Sequence, residues 1–304
     1  MKTRRMRGVA ALTILLAAGS LLPGCQSTRP ESGTAADLGP GAAAGAAPPR
    51  FNEYILRAVD LLANDPNRVG RGYGPGAFTQ DLGFGDQGVL TASPKVPQTM
   101  CVAAQLEVLV EALRLYSTDK TDPKPYTFLP KKTWERLGPK DLRGEFWLVS
   151  GANSSGAADA LTNRGMGAKV TFETLKPRNF VNFNRANGSG HGVVFLNYLD
   201  RAGNELPNFS TDVAGFKYFS SQGKATTGGL GYRYAFFHPE CPNNLPPGKQ
   251  RDCGVIRSAS QRMLNTGYAA MPTSWRHKDP AALAATAPEG KFDEGYFTGE
   301  TTDE

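Results

Sequence analysis

Histidine and cysteine are scarce in this chain, which has three of the first and four of the second among 304 residues. Neither occurs at a spacing typical of metal sites, because the sequence contains no CxxC and no HxxxH motif. Two glycine clusters, Gly83-Phe84-Gly85 and Gly228-Gly229-Leu230-Gly231, lack the strand, turn and helix that phosphate and dinucleotide loops require. We therefore predict no metal and no cofactor, and we interpret both clusters as loop glycines.

A clustered basic footprint is also missing. The whole chain holds 34 basic and 28 acidic residues, a net charge of +6. Four of the basic residues lie in an N-terminal segment that we expect to be removed, which leaves 30 basic against 28 acidic residues, a net charge of +2. Nucleic-acid binding needs a concentrated positive surface, so we predict no nucleic-acid partner.

Residues 1–24 have the parts of an export signal, with a basic head followed by an apolar run from Val9 to Leu22. The run is interrupted and short for a membrane span. It ends in Leu22-Pro23-Gly24-Cys25, which resembles the lipobox of bacterial lipoproteins. The resemblance implies that Cys25 is acylated, anchors the chain in a membrane and becomes the mature N-terminus. Gln26 in place of aspartate implies the periplasmic side of the outer membrane if the host is diderm, and an ordinary secreted protein is the alternative.

The mature chain divides by composition into three parts. Residues 25–50 are rich in Ala, Gly, Pro and Ser, and we predict a flexible linker there. Residues 51–275 are long enough to bury one core and form a single domain. Residues 276–304 turn polar and then acidic, and we predict a disordered tail.

Within the domain, helical patterns come first and strand patterns follow, which is typical of an α+β fold. Helices are predicted at residues 51–63, 98–113, 133–137 and 154–164, and a long ordered loop at 70–88. Residues 146–149 form a brief strand or a helix-packing segment. Strands are predicted at residues 169–174, 180–183, 192–199, 213–219 and 232–237.

The cysteines can be sorted by context. Cys241 and Cys253 bracket a proline-rich loop that a disulfide would close, which is worth about 3 kcal/mol. With Cys25 taken by lipid, Cys101 stays unpaired. Thr99 is a predicted N-cap, which would place Cys101 in the first helical turn, where the helix dipole favours a thiolate. Cys101 is thus a candidate nucleophile, and the alternative is a small buried side chain.

The helix that carries Cys101 shows an apolar stripe and a predicted polar side. The stripe consists of Val102, Leu106, Leu109 and Leu113, and the polar side of Gln105, Glu107, Glu111 and Arg114.

A base for such a nucleophile is sought among three histidines. His191 follows a glycine-rich turn at the start of an apolar strand, where a ring can be held rigidly beside a cleft. His238, at a strand end, is the second choice, and His277 belongs to the polar tail. The alternative for His191 is a structural role at the strand edge.

A cysteine in the first turn of a helix, followed some 90 residues later by a histidine at the start of a strand, resembles the papain-like cysteine hydrolases. The stretch Phe180-Val181-Asn182-Phe183, then His191 and its strand, is similar to the central hairpin of the NlpC/P60 and CHAP amidase superfamily. The resemblance implies a papain-like fold and cleavage of amide or peptide bonds in peptidoglycan. It also implies a third polar residue that orients the histidine.

That third position shows no His, Asp, Asn or Glu. Alternation along the strand places Ser220 and Gln222 on one face, and the Gln222 carbonyl is our first choice to accept from His191. Gln98, one turn before the helix, is a candidate oxyanion donor, with a plain turn-forming role as the alternative.

Three functional hypotheses follow. The first is a cell-envelope cysteine hydrolase that uses a Cys101 thiolate and a His191 base on peptidoglycan stem peptides. The second is a non-enzymatic envelope lipoprotein that binds peptidoglycan or a protein partner on an inactive papain-like scaffold. The third is acyl transfer at the same site, with an amine or hydroxyl in place of water.

Overall fold

The computed structural model describes residues 50–74, 78–92, 96–128 and 156–276. The helices in these ranges are α1 (Asn52–Ala63), α2 (Cys101–Lys120), α3 (Lys124–Phe128) and α4 (Ala157–Asn163). The first strands are β1 (Leu82–Gly83), β2 (Val89–Leu90), β3 (Gly167–Lys169), β4 (Phe180–Asn184) and β5 (Gly190–Leu199). The others are β6 (Glu205–Leu206), β7 (Gly215–Gln222), β8 (Gly229–Phe237), β9 (Arg251–Val255) and β10 (Leu264–Ala269).

The helices accompany one large mixed sheet, so the described chain has an α+β fold. The sheet has the strand order β3-β10-β4-β5-β7-β8-β9, and β6 pairs with β5 at its side. Every pairing in this sheet is antiparallel except that of β8 with β9, which is parallel. Strands β1 and β2 form a separate two-stranded ribbon.

Both faces of the sheet bury apolar side chains. Helices α1 and α2 pack together, and α2 covers one face with Val194 and Phe219 beneath it. We call this the helix face. Phe183, Phe195 and Phe216 point to the opposite side and pack with Phe172 and its neighbours. We call this the distal face. Strands buried on both faces show continuous apolar runs rather than alternation, as β5 does.

The predicted polar side of α2 is wrong for the first half of the helix, which is buried all around, whereas Arg114 is exposed as predicted. Gln105 and Glu107 are no more than 1% exposed. The amide of Gln105 donates to the carbonyls of Val181 and Val193, at 3.2 and 2.7 Å. Glu107 accepts from the backbone N–H and the hydroxyl of Thr79, at 2.8 and 2.5 Å. Polar side chains are tolerated in this core because each has hydrogen-bond partners.

Helices α1 and α4 agree with their predicted ranges within three residues, whereas α2 extends to Lys120, seven residues beyond its predicted end, and α3 was not predicted. Several strand boundaries also move. The strand predicted at 169–174 ends at Lys169 and is followed by a 3₁₀ turn, Phe172–Thr174. The last two strands, β9 and β10, were missed. Gly229–Gly231 lies within β8 rather than in a loop. The predicted elements at 133–137 and 146–149 lie outside the described residues.

The start of the predicted loop at 70–88 is tied to the sheet, and its last part contains strand β1 and a 3₁₀ turn, Gly85–Gln87. Gly70 and Gly72 donate to the carbonyls of Leu230 and Gly228, at 3.2 and 2.7 Å. Gly229 has φ +115°, and a Cβ there would lie 3.0 Å from the nitrogen of Arg71. Only glycine allows this conformation and this close approach of two backbones.

The loop after β8 is closed by a disulfide. Cys241 and Cys253 are paired, with their Cα atoms 5.6 Å apart, as predicted. Leu245, within the loop, packs against the end of the sheet. Within the described ranges, we find no helix with the length and apolar character needed to cross a membrane.

Glu107 gives the fold a measurable pH dependence. Burial raises the pKa of Glu107 from 4.5 to about 7. The folded state therefore binds this proton more tightly than the unfolded state, and the resulting stability is present below pH 4.5 and lost as the pH rises through 7. We expect Glu107→Gln to change the free energy of unfolding little at pH 5 and to raise it at pH 8 by up to about 3 kcal/mol. Urea unfolding of both proteins at the two pH values measures this, and a difference independent of pH would contradict it.

Candidate functional site

Cys101 begins helix α2, but Thr99 is not its N-cap. The N-cap residue is Met100, and no side chain caps the helix. The carbonyl of Thr99 accepts from the hydroxyl of Ser221 at 2.6 Å, so this residue ties the helix start to β7. Cys101 is fully buried and is the free cysteine of the described chain. The hydroxyl of Tyr73 lies 3.9 Å from its sulfur.

The environment of Cys101 favours the thiol over the thiolate. Burial raises the pKa of Cys101, although a hydrogen bond from the Gly192 backbone and the Tyr73 hydroxyl act in the opposite direction. Desolvation of the charged form thus outweighs the hydrogen-bond donors around the sulfur. The buried environment of Cys101 therefore does not favour the predicted thiolate.

His191 lies near the start of β5, directly opposite Phe183 on β4. Its ring packs edge-on against Phe183 and Tyr218, with both ring centroids 5.6 Å away. Nε2 lies 3.4 Å from Oε1 of Gln222, the partner that alternation along β7 predicted. Nδ1 of His191 and Nε2 of Gln222 are buried without a hydrogen-bond partner.

Burial also governs the protonation of His191. It lowers the pKa of His191 from 6.5 to about 3, and the guanidinium of Arg185 acts in the same direction. The carboxylate of Asp252 and the Gln222 side chain oppose this shift without reversing it. An imidazole with this pKa is neutral at pH 7 and is a weak proton acceptor there.

Cys101 and His191 face opposite sides of the sheet. Cys101 sits against the backbone of Gly192, whose absent Cβ would point at Gln105 of helix α2. His191, one residue earlier on the same strand, therefore points to the distal face, where Phe183 and Tyr218 enclose it. The structure brings His191 and Gln222 together, but it does not join either of them to Cys101.

Gln98 and Ser220, the two remaining candidate site residues, form hydrogen bonds with other groups. The amide of Gln98 donates to the carbonyl of Ala225 at 3.0 Å, so it holds the β7–β8 turn and is not an oxyanion donor in this arrangement. The hydroxyl of Ser220 donates to the carbonyl of Gly192 at 2.7 Å and does not orient His191.

His238 is exposed, and Cys25 and His277 lie outside the described residues.

Sequence reasoning missed a buried charge network beside His191. Arg185 and Asp252 form a two-pronged ion pair, with Nε–Oδ1 and Nη2–Oδ2 distances of 2.7 Å, and both side chains are fully buried. Tyr218 donates to Asp252 at 2.6 Å, and Arg185 donates to Ser189 at 3.1 Å. The partners are 67 residues apart, so no local spacing indicates their contact.

Burial of Asp252 alone would raise the pKa of its carboxyl, but the Arg185 guanidinium holds that pKa below its ordinary value. The network is therefore charged at neutral pH and closed to solvent, which is typical of a structural element. Across the described ranges, no group of three or more His, Cys, Asp or Glu side chains could hold a metal ion.

No family model, no curated protein and no solved structure matches this chain.

Proposed function

We propose that this protein is a non-enzymatic, lipid-anchored binding protein of the cell envelope. The observation that supports this function over a cysteine hydrolase is the position of Cys101 and His191 on opposite faces of β5. Nucleophilic catalysis needs a base within hydrogen-bond reach of the sulfur. Here the candidate base is turned away and enclosed by Phe183 and Tyr218.

The protonation states support the same function. A thiol with a raised pKa and an imidazole with a pKa of about 3 leave neither a nucleophile nor an effective base at pH 7. The lipobox-like Cys25 and the linker at 25–50 supply the anchor and the reach of such a protein.

The papain-like scaffold also belongs to this proposal. Helix α2 packs on antiparallel strands β5 and β7, and Cys101 starts the helix, as the resemblance implies. The difference from a papain-like active site lies in β5, because its His191 points to the distal face. A binding protein on this scaffold would keep the helix and the sheet while losing the catalytic pair.

We expect Cys101 to be nearly inert in the native protein. Iodoacetamide at pH 7.5 should modify it at least about 100-fold more slowly than in urea-unfolded protein, because labelling then requires local opening. Mass spectrometry of the peptide that contains Cys101 measures the modification separately from any other thiol. Cys101→Ala should leave the amount of peptide released from purified peptidoglycan unchanged.

His191→Gln is the matched control for the same assay. Rapid native labelling of Cys101, together with peptide release that both variants abolish, would contradict the proposal in favour of the hydrolase. Products that carry an added amine or hydroxyl acceptor would instead identify acyl transfer. Binding of the protein to sedimented peptidoglycan, with no released peptide, is the result that the proposal requires.

A further inference from the structure

A cavity of about 600 Å³ opens along the first half of strand β8, on the side where its second half pairs with β9. The segment around Gly70 borders it at one end and Gln250 at the other. Its floor includes Tyr232 and Arg233, and the β7–β8 turn contributes Lys224. Cavities of this volume are large enough for a small ligand.

The cavity coincides with a break in the pairing of β8. Gly70 donates to the carbonyl of Leu230 at 3.2 Å, and Tyr234 donates to the carbonyl of Gln250 at 3.0 Å. Along an antiparallel strand, the N–H and C=O of every second residue point to the same edge. The backbone of Tyr232, midway between Leu230 and Tyr234, therefore points its N–H and C=O into the gap. Its carbonyl accepts from Nη1 of Arg233 at 3.1 Å, whereas its N–H faces the cavity as a donor.

The charged side chains that line the cavity have one sign, and the carboxylate of Asp60, which acts on the Tyr232 hydroxyl, is not among the lining residues. The described residues that line the cavity include two cations, Lys224 and Arg233, and no carboxylate. Thr227 and Gln250 add neutral polar groups. A backbone N–H flanked by cations is complementary to an anion, and a carboxylate is the anion whose two oxygens suit such paired donors.

The size and shape of the gap select the molecule that carries this carboxylate. Three residues, Gly231 to Arg233, lie between the paired positions Leu230 and Tyr234. At about 3.3 Å per residue they leave about 10 Å of edge, which is room for an extended peptide of about two to three residues. The side chain of Tyr232 is 38% exposed and offers an apolar surface with a polar tip beside the gap. Edge strands commonly bind peptides through their free backbone groups.

We propose that the gap in β8 binds the free carboxylate of a short extended peptide, with Lys224, Arg233 and the N–H of Tyr232 as its donors. The inference rests on the proposed function as a binding protein and names the class of ligand and the site. Peptides with free carboxylates, such as the stem peptides of peptidoglycan, are the class that this chemistry recognises.

The test is an NMR titration of the full mature chain with trialanine, with trialanine C-terminal amide and with acetate, followed at the Tyr232 backbone amide. We expect trialanine to bind at least about tenfold more tightly than its amide, because the amide lacks the charge that the two cations bind. Acetate should bind more weakly than trialanine, because it lacks the peptide that lies along the edge. Binding should weaken as the salt concentration rises.

Variants assign the effect to the site. Lys224→Ala should weaken trialanine binding about three- to tenfold and bring the acid and the amide closer in affinity. The backbone carbonyl of Lys224, which accepts from Tyr73 and Gly228, is unchanged by this substitution. Lys176→Ala, at an exposed lysine outside the cavity, is the control and should bind like the parent protein.

Equal affinity for the acid and the amide would overturn the inference, and so would an unchanged affinity in Lys224→Ala. Equal affinity for acetate and trialanine would overturn the peptide as the ligand. These readouts are independent of Cys101, so they fail separately from the proposed function. Peptide release that depends on Cys101 would contradict the proposed function. Equal binding of the acid and the amide would contradict the inference.

Discussion

Replacing Asp252 with alanine is expected to lower the free energy of unfolding by about 3 to 5 kcal/mol, which is a large part of the stability of a domain. The reason is the ion pair with Arg185, which is fully buried and makes two hydrogen bonds of 2.7 Å. Without the carboxylate, the guanidinium keeps its desolvation cost and loses its counter-charge. The hydroxyl of Tyr218 loses its acceptor as well.

Denaturant unfolding at pH 7 measures this loss, and Asp119→Ala is the matched control. Asp119 pairs with Arg57 on the surface, where the two side chains are 38% and 46% exposed. An exposed pair of this kind contributes about 0 to 1 kcal/mol. If both substitutions cost the same small amount, the Arg185–Asp252 pair is hydrated in solution and the distal face is more open than described.

A double variant tests whether the loss of stability comes from an isolated buried charge. Replacing both partners, as in Arg185→Met with Asp252→Leu, should recover most of the stability that Asp252→Ala loses, because no isolated charge remains buried. Failure of this recovery would indicate that the pair also fixes the position of β9 beside β8.

Much of the fold could be predicted from the sequence, because strong periodicity marks long elements. Helices α1 and α2 begin within a few residues of their predicted starts. Strands β4, β5, β7 and β8 overlap their predicted positions. Strands β9 and β10 were missed because each contains a glycine and polar residues, and both depend on distant partners. Asp252 in β9 is a buried carboxylate whose counter-charge, Arg185, lies far away in the sequence.

The candidate site was harder to predict for a physical reason. The face shared by Tyr218, Ser220 and Gln222 follows from alternation, and the His191–Gln222 contact agrees with it. The face on which helix α2 packs does not follow, because β5 is apolar on both sides, with Val193 on one and Val194 on the other. A pattern of period two cannot choose between two apolar faces. The order of cysteine and histidine along the chain therefore suggested a pair that the sheet separates.

His191 is expected to contribute a large loss of stability as the pH falls below 6.5, opposite in sign to the contribution of Glu107. Its pKa is about 3 when folded and 6.5 for a free side chain, so the unfolded state binds a proton between these values and the folded state does not. The contribution of His191 to stability therefore rises with pH through this window, by about 4 kcal/mol between pH 3 and pH 7. The shift arises from burial, with Arg185 and Arg233 adding to it and Asp252 opposing it.

The contribution of His191 to the pH dependence of the unfolding free energy is isolated by comparing the parent protein with His191→Gln in urea unfolding from pH 4 to pH 7. Loss of packing against Phe183 and Tyr218 shifts the whole stability curve of the variant, whereas only loss of the titrating group changes its slope. Glu107 titrates in the opposite sense between pH 4.5 and 7 in both proteins, so its contribution cancels in the difference. If the unfolding free energies of the two proteins changed with pH in parallel, His191 would be solvated in solution. A parent stability that falls relative to that of His191→Gln as the pH decreases would show that the His191 ring is enclosed in the folded protein.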